Sequence, residues 1–238
     1  MEHHLGDRGG TMKVKVIGIG GIGCALLPVL TRYLNFSYSD CEVTLIDGDH
    51  YEEKNSARQE FDSLGNKAEI TAQRLTALFN NLLFLFKGEY VTADNVYGLI
   101  REGDIVLMGV DNHATRKLVS DRCEDLENVV LISGGNDFTD GNVQVHIRRD
   151  GQNITLPIAN DFHPEIMYPE DRNPADAGCE ELAQSQPQLV IANNAIAATM
   201  LSVFYAYLQD KITYDEIYVD ILRGNSRAVN RRQKMSVR

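Results

Sequence analysis

The feature that most restricts this chain is a glycine turn set between a strand and a helix. Lys13-Val14-Lys15-Val16-Ile17 has the apolar character of a strand and runs into Gly18-Ile19-Gly20-Gly21-Ile22-Gly23. Beyond the turn, Leu26, Leu27, Leu30, Tyr33 and Leu34 recur at helical spacing. Glu42-Val43-Thr44-Leu45-Ile46 reads as a second strand and ends on Asp47. Strand, glycine turn, helix, strand and acid, in that order, form a dinucleotide fingerprint. Glycines let the backbone approach a phosphate, which meets the positive end of the helix. The acid can hold a ribose hydroxyl. The turn by itself does not choose between nucleotides.

The next stretch is polar: Asp47-Gly48-Asp49-His50-Tyr51-Glu52-Glu53-Lys54-Asn55-Ser56-Ala57-Arg58-Gln59, then Gly65-Asn66-Lys67. Read alone, it is a loop or an exposed short helix, with Glu53 or Glu60 pairing with Arg58. In order, however, it resembles the nucleotide site of the ThiF/MoeB/HesA (ubiquitin-activating-enzyme-like) superfamily, whose pattern is DxDxxxxxNxxRQ followed by GxK. The resemblance spans residues 13 to 135, with a weaker echo from Cys179 to Leu201. Within the superfamily it points to the ThiF-related proteins of bacterial plasmid cassettes (PRTRC type).

The resemblance implies an ATP-dependent adenylyltransferase that activates the C-terminal carboxylate of a small ubiquitin-like or sulfur-carrier protein, or of a peptide, ending in glycine. It implies a Rossmann-like α/β fold: a mostly parallel sheet, helices on both faces and an antiparallel extension. Gly18, Gly20, Gly21 and Gly23 would admit the nucleotide, and Asp47 would hold the ribose. Asp49, Asn55 and Gln59 would complete the site, with Arg58 and Lys67 offsetting phosphate charge. A strand over Asp104–Val110 runs into Asp111-Asn112, and the resemblance makes Asp111 the Mg²⁺ ligand beside Asn112. Read from the residues alone, Asp111 could instead cap the helix that follows. Gly178-Cys179-Glu180-Glu181 falls where some family members carry a thiol that links covalently to the small protein. The acids around Cys179 would raise its pKa and favour a structural role. Members of the MoeB type carry paired Cys-x-x-Cys zinc ligands and an arginine from an N-terminal helix. This chain has no such cysteine pairs, and only Arg8 precedes the turn.

Domain organisation follows as a flexible leader (1–12), one adenylation domain (13–230) and a basic tail (231–238). Within the domain, 13–135 would bind nucleotide and 136–230 the partner and a second copy, giving a homodimer. Cys24, Cys41, Cys123 and Cys179 are scattered, which predicts reduced cytoplasmic thiols and no zinc. No secretory signal is visible, and no apolar run reads as a membrane span. The formal net charge of -11 argues against nucleic acid as a partner. Arg223, Arg227, Arg231, Arg232, Lys234 and Arg238 form a basic run, which reads as a solvated tail or a docking segment.

Leu82–Phe86 reads as a buried strand, and Val129–Ser133 as another. Gly141–Ile147 alternates like a half-exposed strand with His146 facing solvent. His113 reads as a solvated helix-start residue, residues 150–187 as a long loop, and Leu189–Leu208 as a helix that is deeply buried or has a second face against another subunit. Two other functions share parts of the pattern: an NAD-dependent oxidoreductase, and a non-catalytic nucleotide-binding scaffold.

Overall fold

A computed structural model of the chain describes residues 10–38, 40–57, 59–61, 63–176 and 189–231. Strand β1 (Met12–Ile17) leads through the glycine turn to helix α1 (Gly21–Ser37) and then β2 (Cys41–Ile46). The polar stretch holds a short hairpin of β3 (His50–Tyr51) and β4 (Gly65–Asn66) around a 3-10 helix (Glu53–Ala57). It is followed by α2 (Lys67–Leu78), β5 (Leu83–Lys87), α3 (Val96–Leu99), β6 (Ile105–Met108), α4 (His113–Glu124) and β7 (Val129–Asn136). The rest comprises β8 (Asp140–Arg149), β9 (Gln152–Asn153), α5 (Pro164–Met167), α6 (Val190–Leu208), β10 (Glu216–Asp220) and β11 (Asn225–Val229).

One sheet in the order β11-β10-β8-β7-β6-β1-β2-β5 organises these elements, with β9 paired to β8. From β5 to β7 neighbouring strands are parallel; β8, β10 and β11 extend the sheet antiparallel. The fold is therefore Rossmann-like α/β. On one face Val14, Val16, Val43, Leu45 and Leu107 pack with α1, α2 and α6. On the other, Ile17, Ile46, Val106 and Met108 pack with α3 and α4. Strand order reverses at β1, whose neighbours are β2 and β6. Ligand crevices form beyond the carboxyl ends of strands at such a point.

Four expectations change in whole or in part. Leu83–Lys87 forms the edge strand β5, with Leu83, Leu85 and Phe86 exposed, because its only sheet neighbour among the described residues is β2. His146 is 0% exposed: β8 lies inside the sheet, and both of its faces are covered. Its Nε2 lies 3.0 Å from Asn153 Oδ1, and burial pushes the imidazole pKa down to about 4. Residues 150–176 are irregular over most of their length, as a long loop should be, but they do not stand off the surface: Thr155, Ile158, His163 and Ile166 are buried. Finally, α6 is long and apolar enough to cross a membrane. Here one face, with Ala192, Ile196, Met200, Val203 and Phe204, packs in the core, while the other, with Val190, Ile191 and Tyr205, is exposed. Within α4, Val119 and Cys123 are buried and Leu118 is partly buried against the same core.

Candidate nucleotide site

The glycine turn is shaped by contacts that exclude side chains. Gly18 has φ +88°, and a Cβ there would sit 3.0 Å from the Gly109 backbone. A Cβ on Gly23 would overlap the Gly18 carbonyl, and one on Gly21 would overlap the Asn193 amide. Gly20 differs, since a Cβ there would meet nothing within 4 Å and its surroundings are open. Gly20 is the N-cap of α1 and offers no side-chain cap, and the first turn of the helix carries no acid. The positive helix end therefore remains available to an anion.

Helix α4 also ends at this cleft, but its N-terminus is closed. Asn112 Oδ1 accepts from Thr115 N at 2.8 Å and caps the helix. Asp171 accepts from His113 N at 2.6 Å and Ala114 N at 2.9 Å. Of the two helix ends, only that of α1 is open to phosphate. Because Asn112 is the cap, Asp111 is not: it is exposed at the end of β6, with no hydrogen bond to its carboxylate among the described residues.

Asp47, at the end of β2, ties the two turns together. It accepts from Ile19 N, and its Oδ1 accepts from Asp49 N at 2.8 Å. Burial raises its pKa, against the pull of the Lys67 charge. Asn66 caps α2 through Glu69 N at 3.0 Å and donates to the carbonyls of Asp47 and Asp49 at 2.9 and 3.1 Å. That places Lys67 at the first position of α2, 6% exposed, with Nζ 2.9 Å from Asp49 Oδ2. Tyr90 donates its hydroxyl to the other Asp49 oxygen. Burial works against the Asp49 charge, but Lys67 and Tyr90 outweigh it and hold its pKa below the usual carboxylate value.

Asn55 and Gln59 are buried beside the cleft. Asn55 Oδ1 accepts from Glu52 N at 2.8 Å, so the residue shapes its own turn. Gln59 N donates to Asn55 O, and its Oε1 has no partner among the described residues. Arg58 and Cys179 lie outside the described residues, as does Arg8. Burial raises the thiol pKa at Cys24, and to about 12 at Cys41 and Cys123.

Two contributors escape a reading of the motif. Arg116 is buried on the inward face of α4. Its guanidinium donates to Val110 O at 2.8 and 3.1 Å and to Gly134 O at 2.9 Å. It thereby fixes the backbone just before Asp111. Burial disfavours its charge, which Asp111, Glu165 and Asp171 favour. Its spacing to Val119 and Cys123 was the available signal: a cation at a core position. Tyr90 gave none, since it follows β5 in an ordinary polar loop.

The cleft continues along the antiparallel strands to a second polar cluster. Buried Glu216 accepts from Asn142 Nδ2 at 2.6 Å and Arg231 Nη2 at 2.9 Å, and lies 3.0 Å from His163 Nε2. His163 Nδ1 is 2.9 Å from Glu165. Arg231 also stacks over Phe162, with 4.4 Å to the ring centroid.

Comparison with known proteins agrees with this architecture. The ThiF family model matches residues 7–234. The chain is 26% identical over 203 residues to the adenylyltransferase and sulfurtransferase UBA4 of Candida albicans, covering 82% of this chain and 42% of that protein. It is 32% identical over 143 residues to the adenylyltransferase and sulfurtransferase MOCS3 of Drosophila ananassae, covering 58% and 30%. The chain thus spans less than half the length of these relatives. Among solved structures, E. coli MccB with ATP superposes with a TM-score of 0.67 at 17% identity, covering 92% of this chain and 63% of that one. PaaA superposes with a TM-score of 0.63 at 14% identity, covering 92% and 72%. These likenesses show the fold. The open end of α1, the tied acids of β2 and the extent of the family match lead to one conclusion: this chain belongs to the ThiF family.

Proposed function

We propose that the protein is an ATP-dependent adenylyltransferase that activates the C-terminal carboxylate of a small ubiquitin-like protein or of a peptide. The observation that carries this reading is the pairing of an open α1 N-terminus with a buried lysine, Lys67, on the same cleft. A helix end offers N–H groups to phosphate, and a lysine adds a point charge. Support also comes from the relatives named as adenylyltransferases.

In the proposed reaction an oxygen of the acceptor carboxylate attacks the α-phosphorus of ATP. The bond to the bridging oxygen breaks, pyrophosphate leaves with that electron pair, and an acyl adenylate forms. No side-chain nucleophile is needed. The N–H groups at the start of α1 take the phosphates, and Asp47 the ribose. Lys67 and Arg58 offset the charge that builds on the departing oxygens. Asp111, exposed and with no hydrogen bond to its carboxylate among the described residues, would hold Mg²⁺ at the triphosphate, a kind of site in which one or two carboxylates suffice. Magnesium, when bound, neutralises phosphate charge.

A homodimer in the cytoplasm belongs to the same proposal. Val29 and Phe36 on α1, and Ile191 and Tyr205 on α6, expose apolar side chains, Phe36 to 92%. A second copy of the chain would cover these side chains on the two packed helices. Light scattering on the purified protein checks it, with twice the chain mass expected.

The test of function is ATP–pyrophosphate exchange with a panel of small proteins and peptides ending in glycine. Exchange that depends on one of them is expected. ATP binding without exchange across the panel would favour a nucleotide-binding scaffold.

A further inference from the structure

The first turn of α6 carries a polar side chain that the proposed chemistry leaves unused. Asn193 is 0% exposed, and among the described residues neither its Oδ1 nor its Nδ2 has a hydrogen-bond partner. Its backbone is ordinary helix, donating to Leu189 O at 3.1 Å. The amide lies directly behind the phosphate-facing turn. A Cβ built on Gly21 would overlap its Nδ2 and come within 2.7 Å of its Cγ. Gly21 is the first residue of α1, so its N–H is among those at the open helix end.

An unpaired amide in a core lowers stability, whereas a leucine of similar size would fill the same space without that loss. Packing alone therefore gives no reason for asparagine here. Its neighbours on the buried side of α6 are apolar, Ala192, Ile196 and Ala197. Its position behind Gly21 does give a reason. The Asn193 amide fills the side of Gly21 where a side chain would stand, so any adjustment of the Gly20–Gly21 backbone toward a phosphate would be made against it. An amide can donate or accept to meet the adjustment; an alkyl group can do neither.

We propose that Asn193 is a positioning residue for the nucleotide, its amide engaging the Gly20–Gly21 turn when the turn closes on phosphate. The role rests on the nucleotide reading of the cleft. It acts through Gly21 and not by contact with ATP.

The test measures Mg-ATP affinity by calorimetry and ligand-free Tm for the wild type, Asn193→Leu, Asn193→Ala and Asn193→Ser. Roughly tenfold weaker ATP binding is expected for leucine and alanine, the scale of one lost hydrogen bond. Leucine should leave the ligand-free Tm equal or higher. Serine, near alanine in size but able to donate and accept, should recover part of the affinity. A second arm uses Gly21→Ala, whose methyl group collides with the amide, and Gly21→Ala with Asn193→Ala. The double variant should regain Tm without regaining ATP affinity. Where leucine does not fold, the alanine and serine pair carries the reading.

Wild-type affinity in Asn193→Leu and Asn193→Ala, equal affinity for alanine and serine, or full recovery of affinity in the double variant would each overturn the role. A wild-type protein that does not bind Mg-ATP would overturn the nucleotide reading itself, and this role with it. A wild type that binds beside equally tight variants overturns only the role of Asn193.

Discussion

At the parallel end of the cleft, Asp47, Asp49 and Lys67 hold backbone turns in place while the α1 N-terminus and Asp111 stay free. At the antiparallel end, Glu216, His163 and Arg231 spend their charges on one another, with Asn142 and Glu165 closing the set. Both ends contain buried acids and cations. The difference lies in what remains unpaired: the first end leaves a helix N-terminus and one carboxylate open to a ligand, and the second uses its charge to join β8, α5, β10 and the chain after β11. A polar cluster in a cleft is thus evidence for binding only to the extent that its groups are unsatisfied by one another.

That contrast can be broken most sharply at Asp111. Asp111→Asn should lower acceptor-dependent pyrophosphate exchange on the order of a hundredfold, the scale for one strong transition-state contact. Tm should move only slightly, because Asn112 caps α4 and Glu165 and Asp171 still support the buried Arg116 charge. An active Asp111→Asn protein would place the metal-binding group elsewhere.

A smaller effect is expected at Lys67. Lys67→Ala should weaken ATP binding roughly tenfold, the scale of one lost charge-assisted hydrogen bond. It should also cost about 1–2 kcal/mol in denaturant unfolding, a figure reduced from that of a fully buried pair because Asp49 is half open to solvent. Unchanged ATP affinity would mean that the lysine serves Asp49 alone.

The closed cluster should respond to pH and not to ATP. Burial opposes a charged His163, but Glu216 and Glu165 outweigh it and raise the imidazole pKa above its ordinary 6.5. That contribution is fully present below pH 6.5 and lost as pH rises through the folded value. Burial likewise opposes the Glu216 charge, but His163, Arg231 and Asn142 hold its pKa below the ordinary 4.5. Its contribution is present above pH 4.5 and lost as pH falls through the folded value. The stability gap between wild type and His163→Gln should therefore be widest between about pH 4.5 and 6.5, at roughly 1 kcal/mol, and shrink at higher pH. Buried His146 destabilises in acid in both proteins, so it cancels from the difference. A gap that grows above pH 7 would contradict the pairing.

The same division explains what could be read from sequence. The β1–α1–β2 unit and Lys67 were legible because the residues that define them are contiguous and their spacing follows from local geometry. Asp111 and Asn112 were found together, but which of them caps α4 depends on a rotation about one residue that no pattern encodes. The Glu216 cluster was invisible: Asn142, His163, Glu216 and Arg231 meet only after the antiparallel strands pair. His146 was misjudged because alternation reports one covered face, whereas β8 has both covered. The β5 error runs the other way, since an apolar run does not reveal whether a second strand will flank it. Asn193 sat in an apolar helix and drew no notice, because its meaning lies in the contact with Gly21.

The central claim is that the open end of α1 is built for a triphosphate. Calorimetric titration of the wild-type protein with Mg-ATP and, in parallel, with NAD tests it most directly. The account predicts saturable one-to-one binding of Mg-ATP, at least about tenfold tighter than NAD, with a matching rise in Tm. NAD binding as tightly as Mg-ATP, or more tightly, would contradict it and assign the cleft to a dinucleotide.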